Sequence, residues 1–319
     1  MINMLNSVIL STGSYVPKKI LTNEDLSKII DTSDEWIFTR TGIKKRHIAE
    51  KDETTSQMAI NAAKDAISKS NISASDIDLI VVATTTPDKT FPSTAAKVQA
   101  GLGIKNSAAF DLQAVCSGFV YGITVVDSLI KSGAFNTALV IGADKMSSIV
   151  DWKDRNTCVL FGDAAGACIV SNKGEGRGII TSDLKADGSL EKILYTSGGT
   201  STTQTSGFVQ MEGREVFKHA VQKMCSSVKT VLEKEGLELS DLDWLVPHQA
   251  NVRIIDLMAE KLPFPKEKAI LDLENHANTS AATIPLALDS NSSKFKKGDK
   301  IVLTAAGGGF TWGSVLLEW

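Results

Sequence analysis

The chain has 319 residues, 43% of them hydrophobic and 22% charged, with a net charge of −3. That is the composition of a soluble globular protein of roughly two domains or two fused halves. The slight acidity gives no basis for nucleic-acid binding, and no apolar run approaches the ~18 residues of a membrane helix.

Met1 to Leu10 carries no basic n-region and reads as a first strand, Ser7 to Thr12 ending at Gly13, rather than a signal peptide. The four cysteines, Cys116, Cys158, Cys168 and Cys225, have no CxxC spacing. This predicts free thiols, a reducing cytoplasm and no structural zinc. Thr22 is an expected N-cap with Asp25 three residues on. Trp36 and Arg40 are four apart, so a helix puts them on one face. They read either as a tryptophan at the core edge under a snorkelling arginine or as a ring and guanidinium set for a nucleotide. Lys44 to His47 is a basic run expected to be solvated.

Thr54 to Ser70 has a small-residue face at helical spacing, and Leu79 to Thr84 is a continuous β-branched run expected to be a buried central strand. Pro92 to Leu102 is a second Ala-rich helix. Ala108 to Leu112 reads as the end of a buried strand and Ser117 to Lys131 as a helix, leaving Cys116 in the turn between them. A thiol there sits at the positive end of a helix dipole, which favours thiolate, and its backbone N–H can donate to an oxyanion. A buried cysteine acting as a small hydrophobe is the competing reading. Thr137 to Ala143 is a further buried strand, and Cys158 to Val170 is expected as strand, small-residue turn and strand.

Residues 173–212 are rich in Gly, Ser and Thr and read as the join between two halves, 1–172 and 173–319. Glu215 to Glu235 is an amphipathic helix. The second half then echoes the first: Asp241 to Val246 matches Asp76 to Val81, Ala269 to Leu273 followed by Asn278 matches Ala109 to Leu112 and the Cys116 turn, and Lys300 to Ala306 matches the strand at Thr137. The offsets stay near 163 residues, the mark of an internal duplication. Alternating strands and helices give layered α/β architecture with a ligand cleft where equivalent strands end. His248, after the strand at Val246, reads as a loop histidine or a third member of a site with Cys116 and Asn278; Asn278 reads equally as an N-cap. His219 and His276 are expected to be structural. Gly307, Gly308 and Gly309 follow a buried strand and permit close backbone approach. No Lys-Ser/Thr follows them as a phosphate loop requires, so a second oxyanion donor opposite Cys116 fits better.

Taken in order, Glu35 to Ile43, Asp111 to Phe119, Phe161 to Asp163, Pro247 to Asn251, Asn278 to Ala282 and Gly307 to Gly313 resemble, end to end, the β-ketoacyl-acyl-carrier-protein synthase III family of the thiolase superfamily. The resemblance implies a thiolase-like layered αβαβα fold of two duplicated halves. It implies catalytic Cys116, His248 and Asn278, with the N–H groups of Cys116 and Gly308 as oxyanion hole. It implies condensation of a short acyl-CoA primer, acetyl-CoA first, with malonyl-acyl-carrier protein through an acyl-Cys116 intermediate. Acyl-CoA is then a substrate, with no cofactor and no metal. CoA contacts carry over to Trp36, Arg40, Arg155, Gly213 and Asn251. Phe91, Phe161 and Ala306 shape the substrate pocket, Phe91 reaching across a homodimer. Arg253, with Lys218 and Lys261, is expected to meet the acyl carrier protein.

Three positions depart from the family pattern: Ala306 for Phe, Ala277 for Gly and Ala165 for Gly. The first leaves room for a ketosynthase-III-like enzyme of secondary metabolism; the other two are expected to need only slight repacking. A papain-type Cys-His-Asn hydrolase and a non-catalytic acyl-CoA binder are the readings from other classes.

Overall fold

The computed structural model describes residues 6–319. The first part of the chain runs β1 (Val8–Tyr15), β2 (Ile20–Thr22), α1 (Asn23–Ser27), α2 (Asp34–Thr41), β3 (Lys45–His47), α3 (Thr55–Ser68), β4 (Leu79–Ala83), α4 (Thr94–Gly101), β5 (Ala108–Leu112), α5 (Gly118–Lys131), β6 (Thr137–Lys145), α6 (Arg155–Cys158) and β7 (Asp163–Ser171). The rest runs β8 (Ile179–Ala186), β9 (Leu194–Thr196), β10 (Val209–Met211), α7 (Gly213–Lys234), β11 (Trp244–Pro247), α8 (Val252–Lys261), α9 (Thr283–Ser290), β12 (Lys300–Gly307) and β13 (Thr311–Glu318).

Two sheets carry the fold. The first has order β1-β7-β6-β4-β5, the second β11-β12-β13-β8. Their pairings correspond. β4 and β6 are parallel, as are β11 and β12; β6–β7 and β12–β13 are antiparallel, and each sheet continues with one more antiparallel strand, β1 or β8. α3 and α4 cover the outside of the first sheet and α7 the outside of the second, with α8 against α7. α5 and α9 lie between the sheets, touching strands of both. The layers are therefore αβαβα. α5 is apolar on both faces because both face a sheet: Phe119, Val120, Ile123 and Val126 share one core with Leu79, Val81 and Val140 on one side and Leu303 and Val315 on the other.

The duplication extends to the turns. Val115–Ser117 is a 3₁₀ turn leading into α5, and Ser280–Ala282 is a 3₁₀ turn leading into α9. Thr22 caps α1 in a reciprocal box with Asp25, as the spacing predicts. Thr54 caps α3 by accepting from the Gln57 N–H.

Five local expectations are corrected. β1 does not end at Gly13 but continues to Tyr15 in register with β7. The missing side chain at Gly13 admits the α3 backbone at Ala66 rather than starting a turn. Cys158 to Val170 is not strand-turn-strand: Cys158 ends α6, and the small residues from Asp163 form one continuous strand paired on both sides. Their size reflects the packing of α9 on β7. β5 is a strand but not a buried one; it is the edge of its sheet, with Phe110 exposed. Ala269 to Leu273 pairs with the second sheet only through one parallel bridge, Leu245 to Ala269. In the basic run Lys44 to His47, Arg46 is fully buried, donating to the Leu21 and Val159 carbonyls and to Asn23 Oδ1.

Candidate active site

The sharpest backbone feature is at the Cys116 turn. Val115, just before the cysteine, has φ +48°, a conformation that is strained for a β-branched residue. It ends the approach from β5 abruptly and sets Cys116 at the entrance to α5. The turn is braced from the second half. Ser117 Oγ donates to the Ala114 carbonyl at 2.8 Å and lies 2.7 Å from Thr311 Oγ1. Gly307, ending β12, passes so close that a Cβ there would lie 2.7 Å from the Cys116 nitrogen and 3.0 Å from the Ala114 oxygen.

The helix N-terminus does not make Cys116 a resting thiolate. Its side chain is buried, and burial pushes the thiol up to about 12. A helix dipole is worth about 1 kcal/mol near the first turn, less than the cost of desolvating a thiolate at such a site. The expectation of a favoured thiolate is therefore corrected for the free chain.

His248 is not a surface-loop histidine. It follows β11, is 4% exposed, and its N–H donates to the Thr304 carbonyl at 2.8 Å. Its Nδ1 is 2.6 Å from Thr283 Oγ1. Burial pushes its imidazole down to about 3, so the ring is neutral. Asn278 is tied by its backbone to the first half: its N–H donates to the Leu160 carbonyl at 2.9 Å, and its carbonyl accepts from the Gly162 N–H at 3.0 Å. Its Oδ1 accepts from the Ser280 N–H at 2.9 Å, which leaves the amide NH₂ as the donor end available to a ligand.

Cys116, His248 and Asn278 line one cavity of about 740 Å³. Ala306 and Phe161 line it too, as do Trp36, Arg40, Gly213, Asn251 and Arg253 toward its mouth. Cys116 and Phe161 also line a second cavity of about 340 Å³, where Gly308 is found. The cysteine thus stands between two cavities. Arg155 lines neither, but its guanidinium lies 4.8 Å from the centre of the Trp36 ring and that of Arg40 lies 4.5 Å from it. Asn251 caps α8 by accepting from the Arg253 N–H. Lys218 and Lys261 are exposed and line neither cavity; Lys218 pairs with Glu215 at 3.7 Å. Phe91 is 83% exposed and lines neither cavity of this chain.

The chain matches the 3-oxoacyl-[acyl-carrier-protein (ACP)] synthase III family over residues 110–188 and the C-terminal family of the same enzymes over residues 232–319. It is 57% identical to the β-ketoacyl-[acyl-carrier-protein] synthase III of Wolbachia pipientis wMel, covering 99% of this chain and 100% of that one. The chain belongs to the β-ketoacyl-acyl-carrier-protein synthase III family. It is an acyltransferase, a condensing enzyme that initiates fatty acid synthesis. The synthase III of Ehrlichia canis is 55% identical over 99% of this chain and 100% of its own. The crystal structure of the Aquifex aeolicus enzyme superposes with a TM-score of 0.94 at 51% identity, covering 98% of this chain and 100% of that one.

The three departures from the synthase III pattern now have physical content. Ala165 lies near the start of β7 in ordinary strand pairing on both sides. Ala306 lines the large cavity beside Phe310, which supplies a buried ring there. Ala277 is different: its φ is +59°. The methyl group costs backbone energy, not the slight repacking the sequence suggests, because the left-handed region is unfavourable to L-residues with a Cβ. Ala277→Gly is expected to stabilise the protein by roughly 0.5–1 kcal/mol net of the added chain entropy, read as an increase in the denaturant midpoint with unchanged slope.

Ser280 and Thr311 lie inside the Asn278 and glycine motifs, but the contact of Thr311 with the Cys116 turn is set by the packing of the two halves. Thr283 falls outside every motif, because its role comes from a contact with His248, 35 residues away. Asp144 is another such residue. Fully buried at the end of β6, it accepts from the Thr84 and Thr86 hydroxyls, the Thr85 and Thr86 N–H groups, and the Ala281 N–H of the other half.

Proposed function

We propose that this synthase transfers a short acyl group, acetyl first, from CoA to Cys116 and condenses it with malonyl-acyl-carrier protein. The observation that carries this is the convergence of Cys116, His248 and Asn278, from opposite halves of the chain, on one cavity. Cys116 Sγ attacks the thioester carbon, its proton moving to His248. The tetrahedral oxyanion is held by the Cys116 and Gly308 N–H groups, each such donor being worth about 3 kcal/mol. The C–S bond to CoA breaks, and the proton leaves on the CoA sulfur. Malonyl-acyl-carrier protein then enters and loses CO₂. His248, which takes one proton from solvent once the negative charge of the malonyl group and the developing enolate offsets its desolvation, and the Asn278 NH₂ hold the enolate oxygen. The enolate carbon attacks the acyl group, and the displaced Cys116 sulfur takes the His248 proton, restoring the resting site. One proton is consumed overall. A two-step, ping-pong sequence follows from the covalent intermediate.

Trp36, flanked by Arg40 and Arg155, suits an adenine ring and its phosphates, with Gly213 and Asn251 lining the same cavity. The smaller cavity beyond Cys116 suits the acyl group. Arg253, exposed at the cavity mouth, is the first contact for an acidic carrier protein, with exposed Lys261 on the same helix, α8, and exposed Lys218 on the neighbouring α7. A homodimer belongs to this reading: the exposed edge of β5 and the exposed ring of Phe91 both call for a covering surface. So does the division at 172/173, since strands of the first sheet come from residues 8–171 and those of the second from 179–318. A cytoplasmic location belongs to this reading; among the described residues no helix is long and apolar enough to cross a membrane.

The test is product formation from malonyl-acyl-carrier protein with a panel of straight and branched acyl-CoA primers. The expected result is β-ketoacyl-acyl-carrier protein in every productive case and the highest kcat/KM for acetyl-CoA. A best rate with a longer or branched primer overturns the primer assignment, and hydrolysis without condensation overturns the function.

A further inference from the structure

We propose that Thr283 is a positioning residue that holds His248 as its Nδ1–H tautomer, so that Nε2 is the proton acceptor for Cys116. This rests on the roles given above to Cys116 and His248. Thr283 opens α9, is 2% exposed, and has two partners for its hydroxyl oxygen: His248 Nδ1 at 2.6 Å and the Ser280 carbonyl at 3.1 Å. A hydroxyl has one proton. Given to the Ser280 carbonyl, it leaves the oxygen as acceptor, and the 2.6 Å contact must then be donated by Nδ1–H. A neutral imidazole has one N–H, so Nε2 carries the lone pair.

The local backbone favours this direction. Ser280 is in the left-handed region at φ +53°, and the turn that results gives its carbonyl to both the N–H and the hydroxyl of Thr283. The opposite arrangement, with the hydroxyl donating to Nδ1, costs the carbonyl its second bond. It also puts a proton on Nε2, so the buried Cys116 thiol faces a donor instead of an acceptor. With the Nδ1–H tautomer the first half-reaction balances: the S–H proton passes to Nε2 as Sγ–C forms, and passes on to the CoA sulfur as C–S breaks. The Nδ1–H to Thr283 bond persists in both the neutral and the protonated ring.

Nitrogen-15 NMR of the ¹⁵N-histidine-labelled full-length enzyme tests this directly. The chain has four histidines, and a His248→Gln variant assigns the resonance. The resting wild type is expected to show the Nδ1–H pattern for His248. Thr283→Val, which keeps the shape and removes the hydroxyl, is expected to shift the ring toward Nε2–H and slow Cys116 loading by acetyl-CoA roughly 10- to 100-fold, with little change in KM. Thr283→Ser is expected to restore both. A wild-type ring in the Nε2–H form overturns the proposal, as does Thr283→Val with either tautomer or loading rate unchanged. Should Thr283→Val fail to fold, the wild-type spectrum and the Thr283→Ser variant still decide. The tautomer is read in the resting protein without substrate. A failure of the condensation assay is therefore distinguishable from a failure here.

Discussion

Cys116→Ala is expected to abolish acyl-enzyme formation and to cut condensation by roughly 10⁴-fold or more, as loss of a catalytic nucleophile does. Intact-protein mass after incubation with acetyl-CoA should show one acyl adduct on the wild type, mapped to the Cys116 peptide, and none on the variant. Because His248 and Asn278 remain, the variant should still release CO₂ from malonyl-acyl-carrier protein. Loss of both activities would mean that the sulfur takes part in decarboxylation, against the division of labour proposed. The pH dependence follows from the same site. With the thiol pushed up to about 12 and the imidazole down to about 3, the resting pair is thiol and neutral imidazole throughout the working range. The thiolate fraction then rises about tenfold per pH unit below the thiol pKa. Alkylation of Cys116 by a small neutral reagent should climb steeply from pH 7 to pH 9 without a plateau. A plateau near neutrality would show a low-pKa thiolate and restore the dominance of the helix dipole.

Gly142→Ala is expected to be among the most damaging conservative changes in the core. Gly142 lies in β6, where a Cβ would lie 2.7 Å from the Ala281 carbonyl carbon and overlap its oxygen. Backbone on both sides leaves no flexible side chain to yield. The expected loss is about 3 kcal/mol, or roughly 4–5 °C in melting temperature. Ala281 lies in the turn that carries Ser280 and leads to Thr283, so the fraction that does fold should also load acyl-CoA more slowly. Gly188→Ala is the control: a Cβ there meets nothing within 4 Å, and its stability should stay within about 0.5 kcal/mol of wild type. Equal stability of the two variants would remove the contact between β6 and the Ala281 turn as a determinant of the fold.

Local signals in the chain were strong where one residue's environment is set by its neighbours in sequence. The β-branched run at Leu79 to Ala83 is a central strand because a buried parallel strand needs apolar residues on both faces. The small-residue face of α3, the caps at Thr22 and Thr54, and the helix behind Cys116 were legible for the same reason. The near-constant offset between halves foretold that the Cys116 and Asn278 turns are equivalent, and hence that they face one cleft. The motifs then named Cys116, His248 and Asn278.

Tertiary structure decided what periodicity does not encode. Hydrophobic spacing reports whether a side chain is buried, and says little about which backbone it pairs with. So spacing predicts two strands across Cys158 to Val170 where only β7 forms, and a buried strand at β5 where the sheet has its edge. A sequence cannot show a φ of +59° at Ala277, because alanine elsewhere is the best helix former. Nor does it weigh burial against a helix dipole at Cys116, since the desolvation comes from residues of both halves packed around the turn. The partner of His248 is 35 residues away; only the packing of α9 between the two sheets brings Thr283 to the ring. Sequence determined which groups are present and the repeat that brings them together. The packed interface of the two halves determined which protons they hold, because charge and hydrogen-bond direction depend on everything within a few ångströms, whatever its place in the chain.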